Sequence, residues 1–258
     1  MKTAYPKGFA WIDNKYVDIS KAKISILDWG FLRSDATYDV VHVWDNRFFL
    51  IDNHIDRFLN STKKLRMPCK KSKSQIKKIL ANCVKKSGLT NAYVEIIQTR
   101  GMSPTFDRDP RKSTPRLIAF AVPFSWILKP DNFEKGLNIA VTDIKRIPSD
   151  SVDPTIKNYH WLDLIAGMFE AYDRGSETGI LVDANNNILE GPGFNIFSLD
   201  SRGLHTPEEG ILKGITRGSV IDIANELQIT LSLSPVNLKE FEASDEIFIT
   251  STAGGVMP

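Results

Sequence analysis

Val152-Asp153-Pro154-Thr155-Ile156-Lys157-Asn158-Tyr159-His160-Trp161 sets a lysine just past a proline-fixed turn and just ahead of a helical run. Pro154 ends an extended segment. Beyond it Trp161, Leu164, Ile165, Met168, Phe169 and Tyr172 recur at helical spacing, and Gly175 stops the run. Those six side chains are expected to form the buried face of a helix. An amine acts as a nucleophile only when its pKa is depressed, and a lysine at the mouth of a buried helix does not easily drift into bulk water. The plainer alternative is a surface charge at a helix start, which the helix dipole makes mildly unfavourable.

The sequence on either side reads as two lobes. Before the lysine come a hairpin over 9–19, then strands over 37–44 and 47–51 joined at Asp45-Asn46. A helix from about Asn53 follows, then a basic helix, then strands over 92–100 and 116–124, an α+β pattern. Gly101 to Pro115, between those strands, is long and polar enough to serve as a lid. The stretch 125–135 carries Pro130 and several charges and reads as a linker. After it come segments over 137–143, 179–189 folded at Asn185-Asn186, 194–199, 219–227, 229–233 and 246–250.

Composition narrows the function classes. With 258 residues and 42% hydrophobic content the chain can bury a substantial core. A net charge of +2 is too small to argue for a nucleic-acid partner. The lysine-rich stretch from Lys63 to Lys86 is read as the solvated face of an amphipathic helix: Ile76, Ile79, Leu80, Cys83 and Val84 form its apolar stripe, and Gly88 closes it. No apolar run opens the chain or reaches membrane-spanning length, so a cytoplasmic protein without a membrane partner is expected. Cys69 and Cys83 have no partners at metal-ligand spacing, so neither a disulfide nor a metal is expected.

Three further constellations complement Lys157. Glu190 ends a strand beside Gly191-Pro192, where its carboxylate could keep a bound pyridine nitrogen protonated. Gly214-Ile215-Thr216 opens a helix whose N-terminus favours an anion, with Thr216 as N-cap. Thr250-Ser251-Thr252-Ala253-Gly254-Gly255 offers hydroxyls and compact amides to a phosphate, and Arg57 a fixed cation. Each alone is an ordinary turn, helix start or surface charge. In this order they make the parts of a pyridoxal phosphate site.

The chain resembles fold type IV pyridoxal phosphate transaminases, the class of branched-chain and D-amino acid aminotransferases. More narrowly, Ile24-Ser-Ile-Leu-Asp-Trp-Gly-Phe-Leu-Arg33-Ser-Asp-Ala-Thr-Tyr38-Asp-Val40-Val-His-Val-Trp44 resembles the (R)-selective amine transaminases. So do Asp153-Pro-Thr-Ile-Lys157-Asn, Met168-Phe-Glu-Ala-Tyr-Asp-Arg-Gly175, Glu190-Gly-Pro-Gly-Phe-Asn-Ile196, Gly214-Ile-Thr-Arg217 and Thr252-Ala-Gly-Gly-Val-Met-Pro258. The resemblance implies a two-domain fold of mixed α+β and α/β class. A small α+β domain is expected over 1–124, a linker over 125–135, and a larger C-terminal domain over 136–258, with pyridoxal 5'-phosphate between the two.

It further implies Lys157 as the Schiff-base lysine and Glu190 at the pyridine nitrogen. Arg57, Ile215, Thr216, Ser251 and Thr252 would bind the cofactor's phosphate end, and Tyr38, Val40, Tyr93, Glu95, Trp161 and Ala253 the substrate. The implied reaction is ping-pong transfer of an amino group from a D-amino acid or (R)-amine to a 2-oxo acid such as pyruvate, in a homodimer. Arg33 stands where these enzymes usually carry histidine, and it can grip a carboxylate bidentately. With Arg108 and Arg111 of the lid it is a candidate for the acceptor carboxylate. The family ordinarily continues some tens of residues past Met-Pro, so apolar surface there is expected to be exposed. The alternatives are a branched-chain L-amino acid aminotransferase, an aminodeoxychorismate-type lyase, and a non-catalytic binding protein.

Overall fold

The computed structural model describes residues 5–258, so the reading of the first four residues lies outside the described residues. The described chain divides into two compact units, one holding the residues up to Ser125 together with Ile156–Tyr159, the other Trp126–Thr155 and His160–Pro258.

The first unit comprises β1 (Phe9–Ile12), β2 (Lys15–Asp18), α1 (Trp29–Arg33), β3 (Ala36–Trp44), β4 (Arg47–Phe48), α2 (Ile51–Lys64), α3 (Lys73–Ser87), β5 (Ala92–Met102) and β6 (Thr114–Pro123). Asp45 and Asn46 turn β3 into β4 with φ of +47° and +61°, a left-handed backbone that short polar side chains tolerate. β4 is shorter than the expected 47–51, because Leu50 also turns left-handed and α2 begins at Ile51. The strands form one antiparallel sheet in the order β2-β1-β6-β5-β3-β4. α2 and α3 cover one face: Ile55, Phe58, Ile76 and Leu80 pack there against Val41, Val43, Val94 and Ile96. Each such side chain, almost fully buried, contributes about 1.5–3 kcal/mol relative to exposure. α3 starts on a Ser72–Gln75 capping box and stops at Gly88, and its Lys73 and Lys77 meet Asp56 and Asp52 of α2 at 2.6 and 2.7 Å. The expected lid is shorter than 101–115, since β5 runs to Met102, β6 resumes at Thr114, and Pro110–Lys112 forms a 3-10 turn.

The second unit comprises β7 (Ile139–Lys145), α4 (Leu162–Asp173), β8 (Thr178–Val182), β9 (Asn187–Ile188), β10 (Glu190–Gly191), β11 (Phe194–Asp200), β12 (Gly203–Thr206), α5 (Ile215–Glu226), β13 (Leu231–Leu233), β14 (Val236–Asn237), α6 (Leu238–Glu242), β15 (Glu246–Ser251) and β16 (Gly255–Met257). One sheet runs β13-β12-β11-β15-β16 with β10 beside β11; the other runs β14-β9-β8-β7. Ile180, Val182, Phe194, Ile196 and Ile249 pack into their shared core. The stretch expected as a linker is packed into this unit: Leu128 joins the core, and the Ile127 N–H donates to the Ala253 carbonyl at 2.8 Å.

The helix after Lys157 departs from expectation. It begins at Leu162, and its buried side is Leu164, Gly167 and Ala171. A Cβ on Gly167 would lie 2.6 Å from Leu181, and one on Gly179 2.8 Å from the Gly167 carbonyl. Small residues therefore let α4 settle directly on β8, and apart from Leu164 most of its large apolar side chains are turned outward. Leu162 is 86% exposed and Phe169 63%, with Ile165 and Tyr172 also exposed. Helical spacing located the helix, but which side faces the sheet was decided by backbone clearance.

Among the described residues no helix is long and apolar enough to cross a membrane. No group of three or more His, Cys, Asp or Glu side chains there could hold a metal ion.

Candidate active site

Strand alternation sends β3 side chains to two faces. Val41 and Val43 enter the helix-covered core, while Val40 pairs in register with Glu95 and His42 with Tyr93, placing Tyr38, Val40, Tyr93 and Glu95 on the opposite face. Ile156–Tyr159 runs alongside: the Tyr38 N–H and the Thr37 hydroxyl donate to the Lys157 carbonyl at 3.1 and 2.6 Å, and Thr37 bridges Asn158. Lys157 is thus anchored by its backbone to β3, and its helix begins only five residues later. Its Nζ lies 4.6 Å from the centre of the Tyr38 ring.

Tyr38 stacks on Tyr159 at 4.4 Å. Tyr159 and Tyr93 donate their hydroxyls to the two oxygens of Glu95 at 2.6 and 3.2 Å. Burial pushes the Glu95 carboxyl above its ordinary value, against the pull of both tyrosines and of the Lys157 charge. Burial and the neighbouring carboxylate push both phenols far up, so they remain protonated donors. Tyr159 was not anticipated, although its place two residues beyond Lys157 in an extended segment is a period-two signal.

Arg57 lies on α2, where its guanidinium grips Asp39 of β3 through Nε at 2.7 Å and Nη2 at 2.9 Å. Burial alone would raise the Asp39 carboxyl, but Arg57 and the His54 hydrogen bond outweigh it and hold it at about 2. Burial pushes His54 below its ordinary value, so at neutral pH its Nδ1 is the donor in the 2.8 Å bond to Asp39.

In the second unit β10 and β11 form a tight hairpin through Gly193, whose φ is +85°. Glu190 is 6% exposed, not the exposed turn residue that a lone glutamate there ordinarily is. Its Oε1 accepts from Arg146 Nε at 3.2 Å and its Oε2 from the Leu212 N–H at 3.0 Å. Arg146 also donates to Asp163 at 2.6 Å. Burial disfavours the Arg146 cation, but the two carboxylates outweigh it and raise its pKa. Sequence gave no signal for Arg146, which reaches Glu190 only through the fold.

Gly214, rather than Thr216, is the N-cap of α5, and Ile215 and Thr216 open the helix. A Cβ on Gly214 would lie 2.2 Å from Asn195 Oδ1, so only glycine allows this approach. The first-turn N–H groups have no acceptor within the helix. In the turn from β15 to β16, Ser251 donates to the Gly193 carbonyl at 2.7 Å and accepts from the Ala253 N–H at 3.0 Å. Its hydroxyl therefore braces the turn that carries Thr252 and Ala253. Trp161, at the α4 N-cap, lies beside Gly193. Within this unit Trp161, Glu190 and Ser251 thus adjoin one hairpin.

The three arginines expected at the carboxylate are exposed residues of the first unit. Arg33 is exposed and lies 4.6 Å over the Trp29 ring. Arg111 is held by Asp109 at 2.7 Å, and Arg108 is exposed. A cleft of about 720 Å³ in the first unit, walled by Trp11, Lys70, Lys71 and Arg116, contains none of the expected site residues.

The donor set suits pyridoxal 5'-phosphate: an amine over an aromatic ring, a buried carboxylate paired with an arginine, and a glycine-opened helix start for an anion. Comparison with known proteins agrees. The Amino-transferase class IV family matches residues 36–258. The Methanocaldococcus jannaschii protein named "Putative branched-chain-amino-acid aminotransferase" is 31% identical over 251 residues, 96% of this chain and 85% of that protein. The branched-chain-amino-acid aminotransferase of Escherichia coli K12 is 24% identical, covering 97% and 83%. Among solved structures, an E. coli branched-chain amino acid aminotransferase superposes with a TM-score of 0.91 at 24% identity, over 97% of this chain and 84% of that one. The Thermoproteus uzoniensis branched-chain aminotransferase, solved with norvaline, gives 0.89 at 28% identity over 97% and 85%. This chain is an aminotransferase and belongs to the class IV family.

Proposed function

We propose that this aminotransferase moves the amino group of a branched-chain L-amino acid to a 2-oxo acid, with pyridoxal 5'-phosphate as cofactor. One observation carries the substrate class: the relative named for branched-chain amino acids matches at 31% identity over 96% of this chain. The 28%-identical structure, itself named a branched-chain aminotransferase, supports the same class.

When bound, the cofactor supplies an aldehyde carbon and an electron-accepting ring. Lys157 Nζ is the amine that would hold it and would move the proton at the substrate α-carbon. Glu190, held by Arg146 and the Leu212 N–H, is the carboxylate that would accept from the pyridine nitrogen. Arg57, the Ile215 and Thr216 amides and Thr252 would hold the phosphate, and Ser251 braces the turn that carries Thr252. Tyr38, Val40, Tyr93, Glu95, Trp161 and Ala253 line the substrate's place. The assembly is a homodimer, a reading supported by the exposed apolar face of α4.

A second reading, a D-amino acid or (R)-amine donor, draws on the Ile24–Trp44 motif and on Arg33 as the carboxylate grip. One assay separates the two: holoenzyme with pyruvate or 2-oxoglutarate is offered L-leucine, L-valine, D-alanine and (R)-1-phenylethylamine. L-Leucine and L-valine are expected to give the highest kcat/KM. D-Alanine or the aryl amine ranking first would overturn the branched-chain reading.

A further inference from the structure

β3 serves the candidate site from both of its faces. Tyr38 and Val40 share a face with Glu95, and the residue between them, Asp39, points the other way toward α2. Asp39 is 1% exposed, and four donors converge on it. Oδ1 accepts from the Val40 N–H at 2.8 Å, His54 Nδ1 at 2.8 Å and Arg57 Nη2 at 2.9 Å, while Oδ2 accepts from Arg57 Nε at 2.7 Å. His54 and Arg57 are three residues apart on α2 and so meet the same carboxylate.

We propose that Asp39 is a positioning residue for phosphate binding: it holds two edges of the Arg57 guanidinium from behind and so fixes the direction in which the rest of the fork is presented. A guanidinium carries five N–H donors in one plane. Once Nε and Nη2 are pinned by one carboxylate, the orientation of the whole plane is set. His54 and the Val40 N–H in turn fix the carboxylate, so the arginine's aim is determined by the backbone of β3 and the face of α2. The inference rests on the reading of Arg57 as a phosphate ligand.

The test compares binding of pyridoxal 5'-phosphate with binding of pyridoxal, which lacks the phosphate, to the full-length apoprotein by equilibrium dialysis. Asp39→Asn should weaken the phosphorylated form at least about tenfold, the scale that loss of an outer-shell partner has at metal sites, and leave pyridoxal unchanged. In an Arg57→Ala background Asp39→Asn should have no further effect on that ratio, because the residue acts only through the arginine. Arg57→Lys keeps the charge without the fork, and should lose the preference for phosphate as Arg57→Ala does. It also keeps the inference testable should Asp39→Asn fail to fold. Equal loss of both ligands in Asp39→Asn, or full phosphate preference in Arg57→Lys, would overturn the proposal. An unchanged ratio in Arg57→Ala would instead remove the reading of Arg57 itself.

Discussion

Glu95 shows how a single carboxyl reports on its surroundings. Its folded-state pKa lies above the ordinary 4.5 because burial penalises the charged form. Its contribution to stability is therefore complete below about pH 4.5 and is lost as the pH rises through the raised value. Glu95→Gln removes the charge and keeps an oxygen for a tyrosine, so the apoprotein variant should gain stability over the parent as the pH rises above about 4.5. Urea titrations across that range check this, and a stability difference independent of pH would contradict it. Asp39 has the opposite sign. Held at about 2 against an ordinary 3.8, it supplies about 2 kcal/mol above pH 4 that is lost toward pH 2. At this scale Lys157, Glu190 and the Gly214-Ile215-Thr216 start were identifiable as candidates because their types and order have few uses. Arg146 and Tyr159 were not, since pairing across 44 and 64 residues to Glu190 and Glu95 leaves no local pattern.

Elements were legible where one local signal decides them. The capping box and Gly88 bound α3, and Asp45-Asn46 fixes the β3 turn. α4 was half legible: spacing gave its existence and Gly175 its end, but the buried side followed Gly167 and Gly179 rather than the larger apolar residues. A periodic stripe says only that a face is apolar, and both a sheet and a second subunit can cover such a face. Two substitutions separate the two sides of the helix. Gly179→Ala should cost about 1–3 kcal/mol in urea unfolding, because the new methyl meets the Gly167 backbone. Phe169→Ser, on the outward side, should leave the fold intact and shift sedimentation from dimer toward monomer. An unchanged midpoint in the first, or unchanged sedimentation in the second, would count against this assignment of faces.

Across the molecule, the mixed α/β class and the aminotransferase chemistry could be read from the sequence, because each separate motif constrained the same cofactor chemistry. Donor choice could not. Motif likeness around Arg33 favoured a D-amino acid or (R)-amine, whereas whole-chain similarity favours branched-chain substrates, and Arg33 itself lies over Trp29. Substrate preference depends on a few pocket contacts worth about 1–3 kcal/mol each, far less than the terms that hold the fold. The proposed reaction hangs on Lys157, and one measurement tests it directly: borohydride reduction of the holoenzyme, followed by proteolysis and mass mapping. A phosphopyridoxyl group on the peptide carrying Lys157, and on no other, is the expected result. The same group on a different lysine, or no covalent adduct at all, would contradict the account.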